Sequence, residues 1–391
     1  MEKKLIIVTF GELSTKGKNI MNFIRLLGKN ITRILSSFSS VEINVQRDHI
    51  YILFDEKDEK EIINKLSLVP GISSFFIARK CNNDIKEICN LANDIFSPFS
   101  NQTFKVKTTR INKSFSLNSD EINREVGSYI LSKNKDAKVD VHNPQVLIQI
   151  MLRENETFIY SKKEKGLGGY PVGIAGKSLH LISGGIDSPV AAFLMLKRGV
   201  ELEMIHFEAP PYTSSKVIDK IKTLIRKLNI YQEKINLHIV PFTKLEKLIY
   251  DVAGPSYCVT IMRRMMLRIS SIIAKKNNCL VLSTGESIGQ VASQTLPSIN
   301  VIDTVSSLPV IRPLACYDKI EIIELALKLN TYNTSIIPYE DCCTIFKLKD
   351  PVTHPNLKVV ESIEEKLNYQ ELIEECVNNT KTVLVEEEKE L

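Results

Sequence analysis

The chain has 391 residues, of which 43% are hydrophobic and 25% charged, a composition typical of a soluble globular protein of two or three domains. No apolar run reaches the roughly 20 residues of a membrane span, and the start MEKKLIIVTFGE lacks a signal-peptide pattern. We therefore expect a cytoplasmic protein with no membrane partner. The net charge of +5 conceals an acidic end, since residues 350–391 hold 4 Lys and Arg against 11 Asp and Glu. The remaining, basic part of the chain is compatible with a polyanionic partner.

Residues 1–79 alternate between strand and helix patterns in the order βαββαβ, which predicts a ferredoxin-like α+β region. The predicted strands are 5–10, 41–47, 49–54 and 72–79, and the predicted helices are 18–37 and 59–68. This fold has no chemistry of its own, so we assign no site residue to it.

Residues 80–165 continue with helices at 84–96 and 120–131 and with strands at 103–110, 138–141, 146–153 and 157–162. Several basic side chains lie on or beside these elements: Arg110, Lys113, Arg124, Lys133, Arg153, Lys162 and Lys163. Their spacing fits a solvated face and a nucleic-acid surface equally well. No aromatic ladder typical of single-strand binders is present, so any RNA contact should be to backbone and shape. The glycine-rich stretch that begins at Gly166 predicts a linker over 166–177.

Residues 178–200, SLHLISGGIDSPVAAFLMLKRGV, predict a strand, a glycine turn and a helix. The adjacent glycines let the backbone take positive φ and approach a phosphate closely, and the helix N-terminus favours an anion. Asp187 is the acid of this loop, and since a carboxylate would repel phosphate, we expect it to hold Mg²⁺ or orient the reacting group. The alternative is an ordinary turn in which Asp187 is only a helix cap. The serine at each end of SGGIDS makes this alternative less favourable.

Strand patterns at 201–207, 235–242 and 279–284 alternate with helix patterns at 216–228, 259–275 and 319–329, which predicts a doubly wound parallel sheet over 178–391. Ligands of such sheets bind at the carboxyl ends of the strands. Three strand ends should converge there: Ser183 to Gly185, His206 with Phe207, and Ser283 to Gly285. His206 is either a core histidine or a wall of a nucleoside pocket. Residues 359–377 predict one further helix, followed by a solvated acidic tail.

Three arginines, Arg263, Arg264 and Arg268, lie on the helix predicted at 259–275, and an arginine near a triphosphate would neutralise its charge. Eight cysteines show no zinc spacing, and most should be small buried hydrophobes. Cys342 and Cys343 are the exception, because they follow a proline in a predicted loop that can carry sulfur into a site. Adjacent cysteines rarely bond to each other, so two sulfur roles or an inert pair are both open.

SGGIDSP, IHFEAPPYTS, TGESIGQVASQT, IRPL..YDK and PYEDCCTIF occur in this order. Together they make the whole chain resemble the tRNA 4-thiouridine synthetases (ThiI), a family of PP-loop ATP pyrophosphatases. The resemblance implies a ferredoxin-like region, a THUMP domain over 80–165, whose family boundary can start near residue 60, and a PP-loop domain. KTTRINKSFSLNSDEINREVG, from Lys107, fits the THUMP domain.

The resemblance implies that O4 of uridine 8 in tRNA is adenylated with ATP and then replaced by persulfide sulfur from a cysteine desulfurase. It assigns ATP binding to Leu181, Ile182, His206, Phe207, Arg263, Gly285 and Gln294, to which the glycine loop adds Ser183, Gly184, Gly185 and Ser188. Catalysis falls to Asp187 and Lys319, with the persulfide on Cys343 or its rival Cys342. Among the basic side chains of residues 80–165, we expect Arg110, Lys113 and Arg124 to bind RNA. Mg²⁺ is inferred as a cofactor, and a homodimer is expected.

Two features depart from the family pattern. Many members end in a rhodanese domain with a second persulfide cysteine, where this sequence ends in a glutamate-rich tail; this argues against the family's direct sulfur relay and its sulfur transfer to ThiS for thiamine synthesis. TFGE also replaces the RYGE of many members. The alternatives are an RNA-binding module with a non-catalytic nucleotide fold, or another PP-loop enzyme such as a tRNA lysidine synthetase or a 2-thiolation enzyme.

Overall fold

A computed structural model describes residues 3–12, 17–338 and 350–386. The chain divides into two compact units, Met1–Tyr170 and Pro171–Leu391. Among the described residues, none of the helices combines the length and the apolar character needed to cross a membrane.

The first unit begins with the expected ferredoxin-like order. Its elements are β1 (Lys3–Thr9), α1 (Ile20–Ile34), β2 (Glu42–Val45), β3 (Ile50–Asp55), α2 (Glu59–Ser67) and β4 (Ser74–Cys81). The strands are antiparallel in the order β2-β3-β1-β4, and apolar residues of α1 and α2 cover one face of them. Gly28 of α1 lets this packing be close, because a Cβ there would lie 2.6 Å from a methyl group of Val45.

The first unit continues with α3 (Ile85–Phe96), β5 (Thr103–Arg110), α4 (Ser119–Lys133), β6 (Lys138–Val139), β7 (Val146–Leu152), β8 (Thr157–Tyr160) and β9 (Glu164–Lys165). β4 pairs with β1 through Ser74–Ala78 and with β8 through Arg79–Cys81, so the described strands of this unit form one nine-stranded sheet. The domain boundary predicted at residues 79 and 80 falls inside β4 and remains a prediction.

The glycine-rich stretch after β9 is held by backbone contacts. Gly166 and Gly168 donate to the carbonyls of Ser73 and Ile72, at 3.0 and 2.8 Å. A Cβ on Gly166 would lie 2.3 Å from the Ile72 carbonyl oxygen, so only glycine permits this approach. The glycines predicted to form a linker therefore serve close packing, and the division between the units follows Tyr170.

The second unit alternates strands and helices as predicted. Its elements are β10 (Lys177–Leu181), α5 (Asp187–Lys197), β11 (Glu201–Glu208), α6 (Ser215–Leu228), β12 (Lys234–Pro241), α7 (Thr243–Lys276), β13 (Val281–Ser283), α8 (Leu296–Asp303), β14 (Val310–Ile311), α9 (Lys319–Lys328), α10 (Tyr332–Ser335), α11 (Leu357–Leu367), α12 (Gln370–Asn378) and β15 (Lys381–Glu386). The strand order is β14-β13-β10-β11-β12-β15, and all pairs are parallel except β12 with β15. The predicted α/β class with a doubly wound parallel sheet is confirmed.

This order places the topological switch at β10, because the next strand in sequence, β11, lies on one side of it and β13 on the other. Ligands bind at such a point, outside the carboxyl ends of the strands. The helix that follows β10, α5, is apolar almost all round, and it is buried against the sheet on one side and α9 on the other.

The structure of the second unit differs from the sequence predictions at several elements. The single helix predicted at 359–377 is two helices, α11 and α12, because Asn368 takes a left-handed conformation with φ 42°. Helix α7 starts at Thr243, well before the predicted residue 259, and bends where Gly254 has φ 68°. β15 (Lys381–Glu386) was not predicted. It adds an antiparallel strand at the edge of the sheet, and its last residue, Glu386, is the one at which the solvated tail was expected to begin.

Candidate nucleotide site

The loop between β10 and α5 is closed by its two serines. The Ser188 hydroxyl donates to the Ser183 carbonyl at 3.1 Å and accepts from the Ser183 amide at 3.0 Å, while the Gly185 amide donates to the Ser183 hydroxyl at 3.4 Å. These hydroxyls therefore shape the turn itself, although both serines were predicted to bind ATP. The loop leads directly into α5, whose free amides point out of its N-terminus.

Asp187 is the first residue of α5, and two donors hold its carboxylate. Lys319 Nζ lies 2.6 Å from Oδ1, and Gln290 Nε2 lies 3.0 Å from Oδ2. Lys319 starts α9 directly after Asp318, which caps that helix in a capping box with Glu321. The structure thus brings together two residues predicted to be catalytic although they lie 132 positions apart in sequence.

A buried histidine of β10 supports the loop between β10 and α5. His180 of β10 is fully buried, and burial lowers its pKa to about 4, so its imidazole is neutral at ordinary pH. Nε2 donates to the Ser188 carbonyl at 2.9 Å, and Nδ1 accepts from the Ser283 hydroxyl at 2.9 Å. Because a carbonyl can only accept, this contact fixes the tautomer with the proton on Nε2. His180 therefore ties the ends of β10 and β13 to the first turn of α5.

A cavity of about 250 Å³ opens at the switch point. Its lining includes ten of the eleven predicted ATP-binding residues: Leu181, Ile182, Ser183, Gly185, Ser188, His206, Phe207, Arg263, Gly285 and Gln294. Gly184 lies in the same loop but is not part of this lining. His206 is almost completely buried, and its Nδ1 donates to the Ile182 carbonyl at 3.1 Å, which fixes the ring between β10 and β11. A larger cavity of about 1260 Å³ lies in the first unit and is lined by none of these residues.

Gly285 brings the loop after β13 against the loop after β10. A Cβ at this position would lie 2.7 Å from both N and Cα of Ser188, a distance that real side chains do not show. Glycine is therefore required for the two loops to touch, whatever role it has toward a ligand.

The three arginines of α7 separate into two groups. Arg263 lines the cavity, whereas Arg264 is 2% exposed and forms a two-pronged contact with Glu364 of α11. Arg268 contacts the same carboxylate at 2.9 Å and lies over the ring of Tyr369. Arg264 and Arg268, four residues apart, share a helix face, and that face serves the packing of α7 against α11.

Four polar residues near the cavity were missed by sequence reasoning: His180, Glu286, Gln290 and Arg312. Glu286 and Gln290 both lie within TGESIGQVASQT, so the motif itself contained the signal that they belong to the site. Arg312 had a weaker signal, its place in IRPL. His180 had none, because a histidine in an apolar strand is usually a core residue.

The predicted RNA-binding residues lie at the end of β5 and on the elements that follow it. Arg110 donates to the carbonyls of Asn112, Lys113 and Phe115, so its guanidinium braces this turn. Lys113 in the turn and Arg124 on α4 are exposed. Their role toward RNA stays a prediction.

Arg153, one of the other basic residues of this unit, is mostly buried. It contacts Asp48 and lies over the ring of Tyr51, which indicates a structural role.

The predicted sulfur carriers, Cys342 and Cys343, lie outside the described residues. Of the other six cysteines, Cys316 is exposed, Cys81 is half-buried and the rest are buried: Cys89, Cys258, Cys279 and Cys376. Burial raises the pKa of Cys279 to about 12, and the charge of Glu203 adds to this effect, as expected for an unreactive core thiol. No cluster of three or more metal-ligating side chains occurs among residues 3–12, 17–338 and 350–386.

The fold and the cavity define the class of the protein. A parallel sheet with a switch point at β10, a glycine turn leading into a helix N-terminus, and an acid–lysine pair beside that turn form an α/β nucleotide-binding site of the PP-loop class.

Comparison with known proteins defines the family. Three family descriptions match the chain: "ThiI ferredoxin-like domain" over residues 5–75, "THUMP domain" over 82–162 and "Thiamine biosynthesis protein (ThiI)" over 173–369. The chain belongs to the ThiI family.

Relatives match over nearly the full length. A "Probable tRNA sulfurtransferase" of Geobacillus kaustophilus is 44% identical over 98% of this chain and 96% of its own. One of the same name from Thermoanaerobacter pseudethanolicus is 46% identical over 95% of this chain and 97% of its own. Among solved structures, a 4-thiouridine synthetase in complex with RNA and bound ATP superimposes with a TM-score of 0.89 at 34% identity, covering 98% of this chain and 100% of that one.

Proposed function

We propose that the chain is a tRNA uracil 4-sulfurtransferase, which adenylates O4 of uridine 8 in tRNA with ATP and then replaces this oxygen by persulfide sulfur to give 4-thiouridine. The observation that supports this best is the Asp187–Lys319 pair at the mouth of the glycine turn, in a chain that matches a 4-thiouridine synthetase with RNA and ATP over its full length. The matched relatives named as tRNA sulfurtransferases support the same reaction.

The cavity suits ATP as a substrate. The amides at the N-terminus of α5, together with Arg263 and Lys319, offer donors and positive charge to a triphosphate. His206 and Phe207, both nearly buried, line this cavity at the carboxyl end of β11 and offer ring surface to an adenine. Cleavage between the α and β phosphates transfers AMP to O4, and the same cationic groups stabilise the departing pyrophosphate.

The residues present also fit Mg²⁺. This ion prefers a few oxygen ligands and is commonly bound by one or two carboxylates together with substrate phosphates. Asp187 would supply the carboxylate, and bound Mg²⁺ would neutralise charge on the phosphates. Lys319 and Gln290 orient the carboxylate from the side, each through one of its oxygens.

The second half of the reaction requires a persulfide. We assign it to Cys343, with Cys342 as its rival. The terminal sulfur attacks C4 and AMP leaves, which joins the carrier cysteine to C4 through two sulfurs. A second thiol then attacks the cysteine sulfur, so that the S–S bond to the base breaks, a disulfide forms and the thiocarbonyl is released. A cysteine desulfurase as sulfur donor, a homodimeric assembly and a cytoplasmic location belong to the same proposal; sulfur transfer to ThiS rests on the resemblance alone and is not part of it.

The two halves of the reaction can be separated by mutation. Asp187→Ala should abolish formation of AMP-linked RNA, whereas Cys343→Ser should still convert ATP to AMP yet leave no thiolated tRNA. Nucleotide products are measured by chromatography, and 4-thiouridine by mass spectrometry of tRNA nucleosides.

Two controls complete this experiment. Cys316→Ser removes the exposed cysteine of the described residues and should leave thiolation unchanged, and Cys342→Ser tests the rival carrier. Production of ADP in place of AMP by the wild-type protein would exclude the proposed reaction, and so would binding of RNA and ATP without any turnover.

A further inference from the structure

Arg312, which directly follows β14, joins two carboxylates at the wall of the nucleotide cavity. Its Nε donates to Glu286 Oε2 at 2.7 Å, while Nη1 and Nη2 donate to the two oxygens of Asp303 at 2.8 and 2.7 Å. The side chain of Arg312 is 10% exposed and that of Glu286 8%. Three of the five N–H groups of the guanidinium are thus used, one on the buried Glu286 and two on Asp303, which is 32% exposed.

Both carboxylates belong to segments that line the cavity or adjoin its lining. Glu286 lines the cavity, and Thr284 Oγ1 donates to its Oε2 at 3.0 Å. Gly285, between them, is the residue that touches the backbone of Ser188. Asp303 ends α8, and α8 begins two residues after Gln294, another lining residue.

The loop that Glu286 anchors also reaches the catalytic pair. Gln290 of this loop holds the Asp187 carboxylate at 3.0 Å. Ile288 N donates to the Ala315 carbonyl at 3.1 Å, and the Ser287 hydroxyl to the Tyr317 carbonyl at 2.8 Å. Residues 315–317 lie just before Lys319 in the chain. The 284–294 loop therefore contacts Asp187 itself and the segment that precedes Lys319.

We propose that Arg312 is a positioning residue of the nucleotide site: it locks the 284–294 loop to α8 and neutralises two carboxylates that would otherwise repel a triphosphate. The assignment deepens the proposed function and rests on it for the identity of the ligand. Arg312 acts through Glu286 and Asp303.

The charges of Arg312 and its two carboxylate partners determine how strongly loss of the guanidinium should weaken ATP binding. Burial alone lowers the pKa of Arg312, but its contacts with Asp303 and Glu286 outweigh burial and hold the pKa above its ordinary value. Without the guanidinium, Glu286 would be a buried carboxylate with only a hydroxyl partner, next to a site for three phosphates. A lysine keeps the positive charge but cannot serve both carboxylates in a planar fork.

The test compares ATP affinity with tRNA affinity in Arg312→Gln, Arg312→Lys and the wild-type full chain, by equilibrium binding. Arg312→Gln should weaken ATP binding about tenfold or more and leave tRNA affinity unchanged, and Arg312→Lys should lie between it and the wild type. A general loss of folding would lower both affinities together. Circular dichroism and thermal unfolding check the fold of each variant.

Arg268→Gln is the matched control, because it removes an arginine from the other arginine–carboxylate cluster of the same unit, in which Arg268 contacts Glu364. It should change the melting temperature and leave ATP affinity within twofold of wild type.

The proposal is overturned if folded Arg312→Gln binds ATP as tightly as wild type, or if Arg268→Gln causes the same loss. If Arg312→Gln does not fold, the lysine variant decides, since unchanged ATP affinity in it would equally exclude the role. AMP formation by the wild type, measured in parallel, tests the proposed function separately from the binding result.

Discussion

Two arginine–carboxylate clusters, each around a buried arginine, lie in the described residues of the second unit, and their chemistry is almost the same. In one, the single arginine Arg312 serves the carboxylates of Glu286 and Asp303; in the other, the single carboxylate of Glu364 serves Arg264 and Arg268. The first cluster borders the nucleotide cavity, and the second lies where α7 packs on α11.

The comparison shows that a buried ion pair does not reveal its role by its residue types. Arg264 is the more deeply buried of the two central arginines, at 2% against 10% exposure, yet its partners belong to the packing of helices. Arg312 is distinguished by what its carboxylates adjoin, a cavity with a phosphate-type turn. Three further experiments test this distinction, and their expected effects decrease in order.

The core cluster should govern stability and leave ligand binding unchanged. Glu364→Ala leaves the buried guanidinium of Arg264 without its carboxylate and should lower the free energy of unfolding by about 3–5 kcal/mol. Urea unfolding monitored by circular dichroism measures the change. A loss of ATP affinity in the folded variant as large as that in Arg312→Gln would contradict the distinction between the two clusters.

His180, which contacts Ser188 and Ser283 beneath the nucleotide cavity's glycine loop, should make the free energy of unfolding depend on pH. Its pKa is about 4 in the folded protein and near 6.5 when unfolded, so between these values the unfolded chain binds more protons. The contribution of His180 to the free energy of unfolding should therefore fall by roughly 3 kcal/mol as the pH decreases from 6.5 to 4.

A substitution isolates this contribution from that of the acidic residues. In His180→Asn the decrease between pH 6.5 and 4 should be smaller than in the wild type, whereas replacing the exposed His142 should leave it unaltered. Parallel curves for wild type and His180→Asn would show that His180 does not remain neutral in the fold.

Gly285→Ala should act on the site with little effect on the core. The added Cβ must push the 284–294 loop away from Ser188, and we expect ATP affinity to fall about tenfold, or about 1.4 kcal/mol. Isothermal titration with ATP measures it.

Gly127→Ala is the matched control. Gly127 lies inside α4, where a Cβ would have no neighbour within 4 Å. Because alanine favours helix over glycine, this variant should be more stable by about 0.5–1 kcal/mol, with unchanged ATP affinity. Equal losses of ATP affinity in both variants would contradict a local role for Gly285.

Periodicity and turn chemistry predicted much of the fold. The βαββαβ order and the alternation after β10 were visible because apolar residues recur at strand or helix spacing over whole elements. The break between α11 and α12 was not visible, since an asparagine in left-handed conformation leaves the apolar spacing intact. β15 was missed because no element was predicted between the helix ending at residue 377 and the acidic tail, and its pairing with β12 is decided by the sheet edge that the rest of the fold exposes.

The sequence alone determined the chemistry of the site. SGGIDS forms a tight turn before a helix, its serines close that turn, and Asp187 and Lys319 supply the charges. The positive φ expected at its two glycines is not found, since neither Gly184 nor Gly185 adopts it. Only the tertiary structure decided which distant residues support this turn. His180, Glu286 and Arg312 act through partners that the parallel sheet brings to one edge, and contacts between segments far apart in sequence depend on the packing of the whole unit.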